Sequence, residues 1–150
     1  MQCLSEEDRS VLSQALAILD RRIQGTSCLT NPEAVRDYIR LSLGPEFNEH
    51  FAMLFLDSAH RILCFKRLFQ GTIDSAAVYP RVIVQQALTC NAAAAIAVHN
   101  HPSGIVEPSQ ADRILTSKIK DALSLIDVRL LDHFVVGSSK IFSFAENGLL

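Results

Sequence analysis

Residues 99–112 read HNHPSGIVEPSQAD and follow the apolar run AAAAIAV. Such a run of small apolar residues predicts a strand that is packed closely on both faces. Side chains on an extended backbone repeat every second residue, so His99 and His101 are expected to point the same way. Ser109 followed three residues later by Asp112 predicts a helix that begins with a capping box. The strand, loop and helix therefore bring two imidazoles and one carboxylate towards one place.

This set of side chains is typical of a metal site. Two imidazoles and one carboxylate form a common ligand set for catalytic zinc, with the fourth position left for water. Zinc lowers the pKa of that water to about 7, which produces a nucleophile at neutral pH. We therefore interpret His99, His101 and Asp112 as ligands of one Zn²⁺ ion.

The apolar pattern outside this stretch predicts the remaining elements. After two leading helices, the order is β-β-α-β-α-β-β, which indicates an α/β (α+β) fold in which helices flank a mixed sheet in three layers. We divide the chain into an N-terminal helical extension, 1–45, and one compact unit, 46–150. Helices are predicted over 5–25, 31–44, 80–91 and from 109, and strands over 51–56, 61–69, 92–98, 128–136 and 140–144. The last helix is expected to bury Ala111, Leu115, Ile119, Ala122 and Ile126.

Composition limits the class of protein. The chain has 150 residues, of which 49% are hydrophobic and 20% charged, as in a globular domain. Its net charge of −2 gives no basic footprint, so nucleic acid is not expected as a partner. The acidic N-terminus does not resemble a secretory leader, and no apolar run approaches the roughly 18 residues that span a membrane. We expect a cytoplasmic protein whose four widely spaced cysteines are reduced thiols.

The spacing of the central motif resembles that of the JAMM metalloproteases. His-x-His-Pro, six residues, Ser, two residues and Asp is their signature, and it occurs here without insertion. Several further motifs resemble the RadC-like branch of that family, in its short form. The resemblance extends over about residues 47–150 and implies the JAB/MPN (cytidine-deaminase-like) fold. The motifs are Gly71-Thr72-Ile73, Pro80-Arg81, His99-Asn100-His101-Pro102-Ser103-Gly104 and Asp132-His133.

The resemblance implies a hydrolase of peptide or isopeptide bonds. It supports the zinc ligands named above, assigns the oxyanion-stabilising role to Ser109, and matches Glu49 to the glutamate that acts as general base. Glu107, in the loop before the helix, is a competing carboxylate for that role. The alternative role of Ser109 is structural, because its side chain can cap the helix.

Other residues are candidates for contacts with the ligands or the substrate. Asp132 and His133 could orient a ligand imidazole through a hydrogen bond, or form a structural polar pair at a strand edge. Thr116 shares a helical face with Asp112, which predicts a hydrogen bond to that carboxylate. Gly104 could let the loop approach a substrate, or could supply a turn with positive φ.

Other functions are alternatives to hydrolysis. One is a non-catalytic MPN-type interaction module, although such modules usually lack the ligands. Another is the DNA-repair role that the older label of the RadC-like family suggests. A zinc nucleobase deaminase requires His-x-Glu and Pro-Cys-x-x-Cys, and both are absent from the sequence. The expected partner is a peptide or protein substrate whose identity the sequence does not reveal, and the expected assembly is at most a homodimer.

Overall fold

The computed structural model describes residues 4–71 and 77–150. Thr72 and Ile73 of the Gly71-Thr72-Ile73 motif, and Cys3, one of the four cysteines, lie outside these ranges. The predicted order of elements is confirmed. The elements are α1 (Glu6–Ile23), α2 (Pro32–Leu43), β1 (His50–Leu56), β2 (Ile62–Gln70), α3 (Pro80–Thr89), β3 (Ala94–Asn100), α4 (Gln110–Ser124), β4 (Arg129–Val136) and β5 (Ile141–Ser143).

The strands form one mixed sheet in the order β2-β1-β3-β4-β5. The pair β3–β4 is parallel because α4 carries the chain back across the sheet between them, while the other neighbours are antiparallel. The central strands β1 and β3 are buried along their whole length, which explains their continuous apolar sequences. The carboxyl ends of the parallel strands β3 and β4 lie next to each other. The start of the antiparallel strand β1 lies at the same end of the sheet.

Helices cover both faces of the sheet. On one face, Ile23 of α1 and a stripe of α2 pack against β1, β3 and β4. On the other face, Ile83 of α3 and Ile119 and Leu123 of α4 pack against alternate residues of the same strands. This arrangement confirms the predicted mixed sheet flanked by helices.

The starts of the helices agree with the sequence signals. Ser5 caps α1 by accepting a hydrogen bond from the backbone N–H of Asp8 at 3.1 Å, and α2 begins at Pro32. A side-chain oxygen at an N-cap satisfies one of the N–H groups that a helix start leaves without a partner. In the part of the chain that the structure describes, no helix combines the length and apolar character needed to cross a bilayer.

Two details of the sequence interpretation are wrong. Strand β3 continues through His99 and Asn100, beyond the predicted end at residue 98. The stripe predicted for α4 is confirmed at Ile119, which is buried, and at Leu115 and Ile126, which pack against the core. Ala111, by contrast, is exposed, and Thr116 and Leu123 are buried instead. The polar residue Thr116 takes an inward position because this part of the helix faces a cluster of polar side chains at the end of β3.

Candidate metal centre

Three potential ligand atoms meet at the carboxyl end of β3. Nε2 of His99 lies 2.9 Å from Nε2 of His101. Each of these nitrogens lies 3.4 Å from a different oxygen of the Asp112 carboxylate. His99 is buried, whereas His101 and Asp112 are partly exposed, so the cluster can be reached from solvent.

The donor set and its spacing fit a small cation. Nitrogen and oxygen ligands held tetrahedrally at about 2.0–2.1 Å from a metal ion lie about 3.4 Å apart. The separations of 2.9 and 3.4 Å in the cluster approach this value. Among the described residues, these three side chains form the group that could hold a metal ion. A four-coordinate ion bound to them would keep one position for another ligand.

A chain of hydrogen bonds fixes the tautomer of His99. Thr116 donates its hydroxyl hydrogen to the backbone carbonyl of Asp112 at 2.6 Å, so its oxygen must accept a hydrogen from Nδ1 of His133, also at 2.6 Å. Burial holds the pKa of His133 well below its ordinary value, so His133 is neutral and its Nε2 is an acceptor. Nδ1 of His99 donates to that nitrogen at 2.8 Å. The lone pair of His99 Nε2 therefore faces the cluster.

The loop after β3 fixes the tautomer of His101. Nδ1 of His101 lies 2.7 Å from the carbonyl oxygen of Ile105 and must donate to it, so in the neutral imidazole the lone pair is on Nε2. The loop turns back because Gly104 adopts φ +82°, and its N–H donates to the carbonyl of His101. When both imidazoles are neutral, their Nε2 lone pairs face each other at 2.9 Å, an arrangement that a shared cation stabilises.

Aromatic rings hold the buried imidazoles in place. The ring of Phe51 is stacked on His99 with centroids 6.0 Å apart, and the ring of Phe144 is stacked on His133 at 4.7 Å. Neither phenylalanine was singled out from the sequence. Each lies in a strand or next to one, where an aromatic residue signals only burial.

Asp112 has both a structural and an electrostatic role. Its Oδ2 accepts the backbone N–H of Ser109 at 2.7 Å, which completes the capping box of α4. Burial by itself would raise the pKa of Asp112, but the neighbouring imidazoles of His101 and His99 outweigh it and hold that pKa well below its usual range. The carboxylate is therefore ionised, as a metal ligand must be.

The field within the cluster favours positive charge. The Asp112 carboxylate raises the pKa of His101, against the opposing effect of burial, and the carbonyl of Ile105 adds to the increase. A site that stabilises a proton on this imidazole also attracts a cation at the same point. The electrostatics therefore agree with the donor geometry.

Glu49 directly precedes β1 and acts electrostatically on the cluster. In the antiparallel pair β1–β3, Phe51 is opposite His99. Glu49 and His101 lie just outside the two strands; if this register continued by two residues, they would be opposite each other with their side chains on one face. After Asp112, the Glu49 carboxylate also contributes to the raised pKa of His101.

The cap formed by Ser109 uses only part of its hydroxyl group. Its Oγ accepts the N–H of Asp112 at 3.1 Å, which uses a lone pair. A hydroxyl that accepts a hydrogen bond still has an O–H to donate. Ser109 is exposed at the start of α4, so the capping role and a donor role are geometrically compatible.

The remaining candidates separate into two groups. Thr116 and His133 connect the ligands, although Thr116 donates to the backbone carbonyl of Asp112 and not to its carboxylate as predicted. Asp132 instead accepts hydrogen bonds from Ser143 and from backbone N–H groups, and so ties β5 to β4.

Removing the Thr116 hydroxyl should weaken metal binding. Thr116→Val keeps the side-chain shape but deprives His133 Nδ1–H of its acceptor, so the tautomer of His99 is no longer fixed. Loss of such an outer hydrogen bond costs about 10–100-fold in metal affinity. Competition with a chromogenic chelator measures the effect, and Ser117→Ala, at an exposed position on the same helix, is the control. An unchanged affinity in Thr116→Val would contradict this role.

Gly137 supports the loop that holds His101. A Cβ at this position would lie 2.7 Å from the Gly104 carbonyl oxygen and 2.7 Å from Cγ1 of Val106, so Gly137→Ala must displace the loop. Overpacking of this kind costs about 1–3 kcal/mol in the free energy of unfolding. Urea unfolding measures it against Ser139→Ala, an exposed position in the same turn. Equal urea midpoints for Gly137→Ala and Ser139→Ala would contradict this prediction, because they would show that the loop shifts without a cost in stability.

Comparison with known proteins gives the family. The chain matches the family described as RadC-like JAB domain over residues 29–149. It is 54% identical over 140 residues to a UPF0758 protein of Ectopseudomonas mendocina, which covers 93% of this chain and 62% of the relative. A UPF0758 protein of Stutzerimonas stutzeri is 55% identical over 140 residues, with the same coverage. A UPF0758 protein of Vibrio cholerae is 51% identical over 143 residues, which covers 95% of this chain and 90% of the relative.

The chain thus spans less than two thirds of the length of the first two relatives. The family match includes all three potential ligands and confirms the resemblance that the His-x-His-Pro motif indicated. The fold and the arrangement of the cluster agree with it. The chain therefore belongs to the RadC-like JAB domain family.

Proposed function

We propose that this chain is a zinc-dependent hydrolase of peptide or isopeptide bonds. The observation that supports the proposal most strongly is the convergence of two imidazole nitrogens and one carboxylate, with Glu49 near enough to act electrostatically on His101. A purely structural role for these side chains would not explain why both imidazoles are held with a lone pair directed into the same space.

Zn²⁺ is the ion that we assign to the cluster. Its preference for a few nitrogen and oxygen ligands matches His99, His101 and Asp112, whereas Mg²⁺ and Ca²⁺ prefer oxygen ligands in larger number. When bound, zinc acidifies a coordinated water and polarises a carbonyl group.

The protein side chains supply the proton transfers. Glu49 accepts a proton from the attacking water and passes it to the nitrogen of the leaving amine, as a general base and then a general acid. Ser109 donates its O–H to the oxygen on which negative charge develops. The substrate is a peptide or protein, and the reducing cytoplasm suits the free thiols of Cys28, Cys64 and Cys90.

Hydrolysis of defined substrates tests the proposal. The protein is loaded with Zn²⁺ and incubated with a panel of peptides and of lysine-linked isopeptides, and newly released amines are counted by mass spectrometry. We expect cleavage by the wild type and none by His101→Ala. A fully metal-loaded protein that cleaves nothing in the panel would favour an interaction module instead. DNA binding with a steep salt dependence would favour the repair role.

A further inference from the structure

Asn100 separates the two histidines in sequence, and its side chain is directed away from them. Neighbouring residues of a strand alternate between the two faces of a sheet, so Asn100 does not join the metal cluster. It is 1% exposed. A buried carboxamide needs partners for both its oxygen and its nitrogen, and those partners show what it does.

The carboxamide binds the backbone on both sides of Glu49. Its Oδ1 accepts the N–H of His50 at 2.7 Å, and its Nδ2 donates to the carbonyl of Asn48 at 3.1 Å. The backbone carbonyl of Glu49 itself accepts the N–H of Gly71 at 2.8 Å. Residues 48–50 are therefore held at three consecutive positions, just before the ladder between β1 and β3 begins.

We propose that Asn100 is a positioning residue that holds Glu49 in place opposite His101. The chemical consequence rests on the proposed function, because it takes Glu49 as the base. Asparagine suits the position because it offers an acceptor and a donor at once. Aspartate retains only the acceptor, and alanine retains neither.

The role of Asn100 predicts that its variants separate metal binding from turnover. In Asn100→Ala, the affinity for Zn²⁺ should stay within about twofold, because Asn100 touches neither the ligands nor the hydrogen bonds that orient them. The kcat should fall about 10–100-fold with a smaller change in KM, since a misplaced catalytic group can cost about 10²-fold. The kcat of Asn100→Asp should fall less than that of Asn100→Ala. The aspartate variant is used in the experiment if the alanine variant does not fold.

A double-mutant cycle with Glu49→Gln distinguishes positioning from a general structural effect. If Asn100 acts through Glu49, Asn100→Ala should reduce kcat by less than about twofold once Glu49 is already glutamine. Equal losses in both backgrounds would overturn the proposal. So would a loss of metal affinity equal to the loss of kcat.

Amide hydrogen exchange tests the same inference without activity. Exchange at the N–H of His50, measured by NMR on the zinc-loaded protein, should be at least about tenfold faster in Asn100→Ala, whereas that of Ala95 in the middle of β3 should not change. If the wild type cleaves no substrate, the proposed function fails, but faster exchange at His50 still supports the backbone contact. Unchanged exchange at His50 overturns it whatever the activity.

A second and independent observation concerns two cysteines. Sγ of Cys64, on β2, lies 3.0 Å from Sγ of Cys90, which caps the end of α3, and both residues are partly exposed. The distance exceeds a disulfide bond of about 2.05 Å by only about 1 Å. We infer that this pair is an oxidisable dithiol. Hydrogen peroxide would take two electrons and two protons from the thiols, forming one S–S bond and two molecules of water.

Thiol counting and peptide mapping test this inference. After peroxide treatment of the zinc-loaded protein, the thiol titre should fall from four to two, and a peptide joined through Cys64 and Cys90 should appear, 2 Da lighter than its reduced parts. Cys64→Ser should abolish the joined peptide, while Cys28→Ser should not. Oxidation that leaves Cys64 and Cys90 unjoined would overturn the inference.

Discussion

Replacing His101 with alanine is expected to abolish metal binding and hydrolysis together. The variant removes one of two imidazole lone pairs and leaves Asp112 and His99 as the remaining pair of ligands. Two ligands cannot hold an ion in the geometry that three create, so the affinity should fall by several orders of magnitude. Metal analysis after dialysis should give less than about 0.1 ion per chain, and cleavage should be undetectable.

The control for this variant is another histidine outside the cluster. His60 lies in the turn between β1 and β2 and adopts φ +58°, so His60→Asn is the matched change because asparagine tolerates that backbone conformation. It should retain one ion per chain and full activity. Full metal content in His101→Ala would contradict the assignment of this ligand.

Replacing Glu49 with glutamine is expected to remove turnover but keep the metal ion. Glutamine preserves size and polarity but cannot accept the proton of the attacking water. Loss of a general base lowers kcat about 10²–10⁴-fold. Steady-state kinetics and metal analysis on the same preparation measure both quantities.

Glu107 provides the control for Glu49→Gln. It is the competing carboxylate of the sequence analysis and is exposed in the loop before α4. If Glu49 is the base, Glu107→Gln should change kcat by less than about threefold. A large loss of kcat in Glu107→Gln, together with normal turnover in Glu49→Gln, would identify Glu107 as the base instead of Glu49.

The fold could be predicted because the sequence signals are local and consistent. Continuous apolar runs specify β1 and β3, which are buried on both faces, and Ser5 and Ser109 mark helix starts through capping boxes. Each signal acts within a few residues. The alternation of strands and helices then leaves few ways to arrange a mixed sheet with helices on both faces.

Hydrophobicity predicted the inward face of α4 only in part. Thr116 is buried, while Ala111, which was expected to be inward, is exposed. The helix turns a polar residue inward because His133 and the Asp112 carbonyl satisfy its hydroxyl. Apolar periodicity does not detect a helix that buries polar groups for a site.

The contacts that orient the ligands also depend on the folded structure. His99 and His133 are 34 residues apart, and the parallel pairing of β3 with β4 brings them together. The acceptor for His101 is the backbone carbonyl of Ile105, which any residue would provide. Residue identity therefore identified the three candidate ligands, whereas their tautomers depend on contacts that only the fold creates.

Anomalous diffraction from crystals grown with Zn²⁺, recorded on both sides of the zinc absorption edge, tests the metal centre most directly. The expected map shows one ion per chain at the end of β3, bonded to Nε2 of both histidines, to an oxygen of Asp112 and to one oxygen atom from outside the protein. An ion coordinated by a fourth protein side chain, or no anomalous peak between these three residues, would contradict the account.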